Sequence, residues 1–368
     1  MKKKRNKKQS SNRNNKSHIK NIPPLMQKLT LQPTIAIQPV NSLLDKMVDG
    51  REFESLLPYK AVNIDFASEI RRSLKEIESI RKKPVICYLS NIVNSNIKAS
   101  TSIDYNDDLP FSEMLSSIPS SIKEIDIILV TPGGSAEQVA KFVDKLRPRF
   151  DSVSFILPNM AMSAGTIFVM SGNEIIMDSR AYIGPIDPQI PNKDGFYVPA
   201  QAILTLIEDI QNRGDDLLKK GQNPLWTDLQ ILHQMDSKDI GNALNASKYS
   251  IELVESYLYN YKFKTWTHHS NGNIVTDTEK QTRAHDIAML LCNHGLWKTH
   301  RRGITREVAW QNCRLKIIHP ETITGLDRTI RRFWALLYWV FENTPVYKIF
   351  ISENYSIFRH DISLITGR

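Results

Sequence analysis

A few residues in this 368-residue chain have the types and spacing that acyl transfer requires. That chemistry uses a nucleophile, a base that takes its proton, and two donors for the oxyanion developing on the attacked carbonyl. Gly133 and Gly134 follow an apolar run at 125–130. Without side chains, their N–H groups can face a cleft and let a carbonyl approach. Ser163 stands where a helix is expected to open after a strand. A helix N-terminus has unpaired N–H groups and a partial positive potential, which suits an oxyanion, and the Ala164 N–H would be the second donor. Small neighbours, Ala161, Ala164 and Gly165, leave room for a substrate. The same residues also fit a plainer scheme, with Ser163 as a helix N-cap and Gly133-Gly134 as a tight turn, and spacing alone does not choose between them. Asp187 lies between Pro185 and Pro188. It could bond local N–H groups in a fixed turn, or orient a base and line a cleft. Neither Gly-X-Gly-X-X-Gly nor a P-loop is present, and no His, Cys, Asp and Glu cluster has metal-ligand spacing. No cofactor and no metal are therefore expected.

The elements that would position these residues follow from periodicity. Residues 67–80 have apolar side chains at helical spacing between charges. Residues 84–90, 125–130, 153–157 and 174–177 are short apolar runs of the kind found in buried strands. Residues 91–108 are polar and predict a loop. Helices are expected at 111–122, at 136–146 behind an N-cap at Ser135, and from Ser163 onward. Alternating strands and helices with short links imply a parallel sheet with right-handed crossovers, and ligands bind beyond the strand C-termini of such sheets. Both glycine-marked loops, 131–134 and 158–165, fall at that edge. Further on, 198–210, 225–235, 251–261, 282–294 and 304–312 read as helices, 265–279 as a loop, and 315–318 as a short strand. The last fifty residues predict a helix plus extensions.

The net charge of +9 is localised. Residues 1–20 hold nine Lys and Arg and no acid; with those nine removed from the 48 Lys and Arg, 39 remain against 39 Asp and Glu. A tail of Lys, Asn, Ser and Gln has little to bury and predicts disorder, either as a solubilising arm or as a contact for an anionic surface. No apolar segment follows that basic start, so no secretory signal is expected. The longest apolar run, FWALLYWVF at 333–341, is too short to span a bilayer and predicts a buried or partner-facing helix, with an interfacial membrane helix as the alternative. Three separated cysteines, Cys87, Cys292 and Cys313, argue for structural thiols in a reducing cytoplasm.

The segments IDIILVTPGG (125–134) and ILPNMAMSAGTIFVMSGNEIIMDSRAYIGPIDPQI (156–190) resemble the serine dehydrogenase proteinase family, relatives of Clp-type peptidases and signal peptide peptidase A. A looser similarity runs through 292–318. The resemblance implies an α/β Clp/crotonase-like spiral of ββα units with a parallel sheet and extra helices. Ser163 would be the nucleophile, and Gly133, Gly134 and Ala164 would form the oxyanion hole. The implied layout is a tail at 1–30, a helical lead-in at 31–82, a peptidase domain at 83–320 and an aromatic-rich C-terminal extension at 321–368. A homo-oligomer acting on polypeptides is implied as well, with no transmembrane segment, in the cytoplasm or peripherally on a membrane. Clp-type peptidases place their histidine base where this chain has Gly184. His300, just before the helix at 304–312, is then the base candidate. Signal peptide peptidases use a buried lysine, for which Lys193, Lys219, Lys220, Lys238 and Lys248 are candidates. The other histidines, His233, His268, His269 and His294 among them, are expected on surfaces or in structural roles. Two further function classes stay open: a catalytically inactive Clp-like scaffold, and a crotonase-type acyl-CoA enzyme, which shares the glycine loop but needs no serine nucleophile.

Overall fold

The computed structural model describes residues 42–61, 64–191 and 195–366. The basic tail, all of 31–41 and Lys193 lie outside the described residues. The strands are β1 (Val85–Ser90), β2 (Glu124–Val130), β3 (Ser152–Leu157), β4 (Met160–Ala161), β5 (Glu174–Met177), β6 (Tyr182–Ile183), β7 (Gln189–Pro191), β8 (Tyr197–Pro199), β9 (Val346–Ile351) and β10 (Ser356–His360). The main helices are α1 (Phe66–Arg81), α2 (Asp108–Ser116), α3 (Ala136–Leu146), α4 (Ala164–Met170), α5 (Ala200–Lys219), α6 (Trp226–Gln234), α7 (Ser237–Tyr257), α8 (Asp277–Cys292), α9 (His294–Trp297), α10 (Arg306–Cys313) and α11 (Leu326–Asn343).

The central sheet has the order β10-β9-β1-β2-β3-β5, with β1, β2, β3 and β5 parallel to one another. Period-2 alternation assigns its two faces. Ile86 and Tyr88 of β1 and Ile125, Ile127 and Leu129 of β2 enter one core, with α2, α3, α4, α7 and α8. Val85, Cys87 and Leu89 with Ile128 and Val130 enter the other, with α1 and α11. Each parallel strand is buried on both faces, which is why these strands read as continuous apolar runs. The covering helices bury stripes. In α1, Ile70, Leu74 and Ile77 face inward, and the Asp65 carboxylate caps the helix by accepting from the Ser68 N–H. In α3, Ser135 accepts from the Gln138 N–H, and Val139, Phe142, Val143 and Leu146 are buried.

The structure refines several expectations and corrects one, the strand at 315–318. The sheet is mixed, because β9 runs antiparallel to β1 and β10 antiparallel to β9. The segments set apart as lead-in and C-terminal extension share one compact unit with the rest from residue 42 onward. The aromatic run at 333–341 takes the buried alternative: Phe333, Leu336, Leu337, Trp339 and Phe341 are at most 1% exposed, against α1 and the sheet. Residues 315–318 make a single bridge, Ile318 to Ile176, at the edge of β5, because the chain then turns into Pro320. Helix boundaries also move: α2 stops at Ser116, two residues ahead of Ile118-Pro119, since a residue before proline disfavours helical backbone.

An ion-pair network fixes α1 to the N-terminal ends of the strands. Arg81 donates to Asp126 at 2.6 Å and to Glu174 at 2.8 Å, and Asp126 is fully buried. Burial pushes the Asp126 carboxyl up, and Arg81 works against that shift. Replacing Arg81 with Met should lower stability by about 3–5 kcal/mol in urea titration, because it leaves an unpaired buried charge. Arg81→Met with Asp126→Leu should recover most of that loss, and an equal loss in both would show that the pair does not act as a unit.

Candidate active site

A second strip of backbone runs beyond the sheet's C-terminal edge. Thr131 bridges Ala161 of β4, β4 pairs with β6 in parallel, and Ile183 of β6 bridges Ile304. Each member has a candidate residue close by in the chain. Gly133-Gly134 follow Thr131, Ser163 follows Ala161, Gly184 to Asp187 follow Ile183, and His300 precedes Ile304. The strip thus gathers at one edge residues that are far apart in sequence.

Ser163 has φ 51° and ψ −118° at the turn from β4 into α4. A non-glycine residue held there costs about 1–3 kcal/mol, and such strain persists only where the surroundings impose it. The hydroxyl makes no cap hydrogen bond to α4, so the N-cap role does not account for this serine. A strained strand-to-helix turn instead lifts a side chain out toward a cleft.

The glycine loop closes on this turn. Gly133 and Gly134 have φ of +108° and +141°. A β-carbon on Gly133 would lie 2.8 Å from both the Met162 carbonyl oxygen and Ser163 Cβ. One on Gly134 would lie 2.3 Å from the Ile103 carbonyl oxygen. Ile103 clamps the loop from outside: its N–H donates to the Gly133 carbonyl at 2.7 Å, and its carbonyl accepts from the Ser135 N–H at 2.9 Å. The Gly133 N–H donates to Thr131 Oγ1 at 3.1 Å and so serves the loop itself. The N–H groups of Gly134 and Ala164 have no hydrogen-bond partner among the described residues. Two unpaired donors therefore flank Ser163.

Gly184 passes so close that its β-carbon would meet Met162 Cε at 2.6 Å and the Ser163 nitrogen at 3.2 Å. A histidine cannot occupy that position while Met162 fills the space. Thr166 fixes this crossing, accepting from the Gly184 N–H at 2.9 Å while its hydroxyl lies 2.8 Å from the Ala161 carbonyl.

Asp187 is fully buried, and its carboxylate is shared by two histidines. His300 Nδ1 lies 2.7 Å from Oδ1 and His294 Nδ1 lies 3.0 Å from Oδ2. The expected local turn bonds are replaced by this long-range pair; the nearest local donor is Gln189 Nε2 at 3.4 Å. His294, expected in a surface or structural role, sits on the same carboxylate as the base candidate. The available signal for it was its place six residues before His300. A carboxylate on Nδ1 fixes the imidazole tautomer and leaves Nε2 to act as acceptor. Ser163 Oγ makes no hydrogen bond to either ring, a contact that commonly tightens only once substrate binds.

The lysine candidates are placed differently. Lys219, Lys220, Lys238 and Lys248 are exposed, and Lys219 pairs with Asp216 at 3.8 Å. An exposed ammonium lacks the desolvation that a lysine base requires.

Residues 59–220 match the family model described as ClpP-like SDH-type serine proteinase. The match spans Gly133, Gly134, Ser163, Ala164 and Asp187 and ends before the two histidines. Two uncharacterized proteins of Methanocaldococcus jannaschii, MJ0137 and MJ1495, are similar. The first is 30% identical over 190 residues, 51% of each chain, and the second 31% identical over 144 residues, 39% of this chain and 46% of the relative. The chain spans about half the length of the curated relatives it matches. A solved membrane-bound stomatin-specific protease aligns with a TM-score of 0.34 at 15% identity, covering 59% of this chain and 74% of that one. Among the described residues, no helix is long and apolar enough to cross a membrane.

Gly134→Ala forces a β-carbon into the Ile103 backbone at a φ that L-residues avoid. Reaction of the protein with a fluorophosphonate should fall by about 100-fold or more, the scale of losing one oxyanion donor. Gly214→Ala, in α5 with open space around it, should react as wild type. Equal rates for Gly134→Ala and wild type would remove the glycine loop from the site.

Proposed function

We propose that the protein is a serine endopeptidase that hydrolyses peptide bonds through an acyl-enzyme on Ser163. The observation that carries this reading is Ser163 on a strained strand-to-helix turn, flanked by the unpaired N–H groups of Gly134 and Ala164. In this scheme Ser163 Oγ attacks the scissile carbonyl and gives its proton to His300. The two N–H groups take the oxyanion, and His300 then protonates the leaving amine. A water activated by His300 hydrolyses the ester. Asp187 holds the ring and balances the imidazolium, and His294 braces the second carboxylate oxygen. The cysteines offer no rival nucleophile: burial raises Cys292 and Cys313 to about 11, and Cys87 upward as well, so the thiolate is disfavoured.

Assembly into a homo-oligomer in the cytoplasm, with a membrane-peripheral site as the alternative, is part of the proposal. Leu206 and Leu218 of α5 and Trp226, Leu229 and Leu232 of α6 are exposed apolar side chains that support a subunit contact.

Fluorophosphonate labelling followed by hydrolysis of an unfolded protein substrate tests the mechanism. Ser163→Ala should abolish both. His300→Asn should slow both by about 100-fold to 10,000-fold, the range of general-base catalysis. His294→Asn should have a smaller effect. Labelling that persists in Ser163→Ala, or no labelling of wild type, would replace the peptidase with the non-catalytic scaffold, which the glycine at 184 otherwise keeps as the second reading. In sedimentation velocity, Trp226→Glu with Leu229→Glu should shift an assembled species toward the monomer. An unchanged profile would remove α6 from the contact.

A further inference from the structure

A cavity of about 890 Å³ opens at the opposite edge of the sheet from Ser163, beside Glu174 at the start of β5 and below Ile318. It is lined by four cations, Lys262, Arg283, Arg314 and Lys316. Among the described residues none of the four has a carboxylate within ion-pair distance. Glu174, the acid in the wall, already holds Arg81 at 2.8 Å and Ser154 Oγ at 3.0 Å. His269 is likewise committed to Glu279 at 3.1 Å. Arg283 donates only to the Cys313 carbonyl, at 3.0 Å. Lys262 pays for this crowding. Burial first, and then the charge of Lys316, lower its ammonium to about 8, with Glu174 opposing. A cluster of like charges that the fold leaves unneutralised is a standing attraction for a polyanion.

The cavity also has flat apolar walls. Trp310 is half exposed and lies under the Arg314 guanidinium, 5.6 Å from ring centroid to Cζ. Trp266 also lines the cavity, with its ring centroid 5.4 Å from that of Phe263. Aromatic faces beside unpaired Lys and Arg are the elements that receive a base and its phosphates. The volume falls in the range of small-ligand pockets.

We infer that this cavity is a binding site for a nucleoside polyphosphate, with the phosphates on Lys262, Arg283, Arg314 and Lys316 and the base stacked on the tryptophans. It is separate from the proposed active site, because Glu174 starts the strand that runs toward that edge. The sequence motifs for phosphate loops are absent, so the phosphates would meet side chains here, not a backbone cradle.

Isothermal titration of the full chain with ATP, tripolyphosphate and a single-stranded decanucleotide, at near-physiological salt and without divalent cation, tests the inference. ATP should bind at least about tenfold more tightly than tripolyphosphate, the scale of one stacked base. Trp310→Ala should erase that advantage, and Lys262→Gln with Lys316→Gln should weaken ATP at least about tenfold at an unchanged melting temperature. If the double variant melts early, Lys316→Gln alone, an exposed position, carries the same comparison. The inference fails if ATP gives no binding, if tripolyphosphate binds as well as ATP, if the lysine variants bind ATP as wild type, or if only the decanucleotide binds. Labelling of Ser163 is unaffected by any of these outcomes, so the two proposals stand or fall separately.

Discussion

The structure of the site depends on how closely three stretches of backbone approach one another. Gly133, Gly134 and Gly184 each lie where a β-carbon would strike a neighbour, at 2.8, 2.3 and 2.6 Å. Only glycine lets the loop after β2 fit between Ile103 and the turn at Ser163, while at Gly184 the close neighbour is the movable tip of Met162. That closeness in turn imposes the unusual backbone of Ser163 and leaves the N–H groups of Gly134 and Ala164 without internal partners. Strain and unsatisfied donors would be costs in an ordinary turn. Here they coincide at one point, which is the pattern of preorganised electrostatics.

The C-terminal strands support this arrangement from a distance. Lys348 of β9, 1% exposed, reaches Asp107 at 2.8 Å, and Arg359 of β10 joins it at 3.1 Å. Tyr88 of β1 donates to the same carboxylate at 2.8 Å. Asp107 ends the loop that carries Ile103, and Ile103 is the residue that brackets Gly133 and Gly134. A buried, many-partnered ion pair is a weak stabiliser but a strong specifier of position. It makes residues beyond 320 part of the site's scaffold, although none of them reaches the chemistry.

The central strands, α1 and α3 were legible because local pattern and burial agree. A strand covered on both faces must be apolar throughout, and a covering helix must be apolar at 3.6-residue spacing. The strand at 315–318 failed, and 333–341 stayed open between core and partner-facing helix, for the opposite reason. One apolar segment looks alike as an edge strand, a single bridge, a core helix or a docking face, and only its neighbours decide. The antiparallel β9 was hidden because its partner, β1, is some 260 residues earlier in the chain, and β10 joins the sheet only through β9.

The sequence by itself determined the glycine loop, the serine at the head of a helix and the order of parallel units between them. These are local requirements, written in residues that few other types can replace. Tertiary structure alone decided what faces them. Asp187 meets His294 and His300 across 107 and 113 residues, and no periodicity links positions so far apart. Nor could composition tell that Gly133 donates its N–H inward to Thr131 while Gly134 does not. Hydrogen-bond partners of that kind follow from packing in three dimensions.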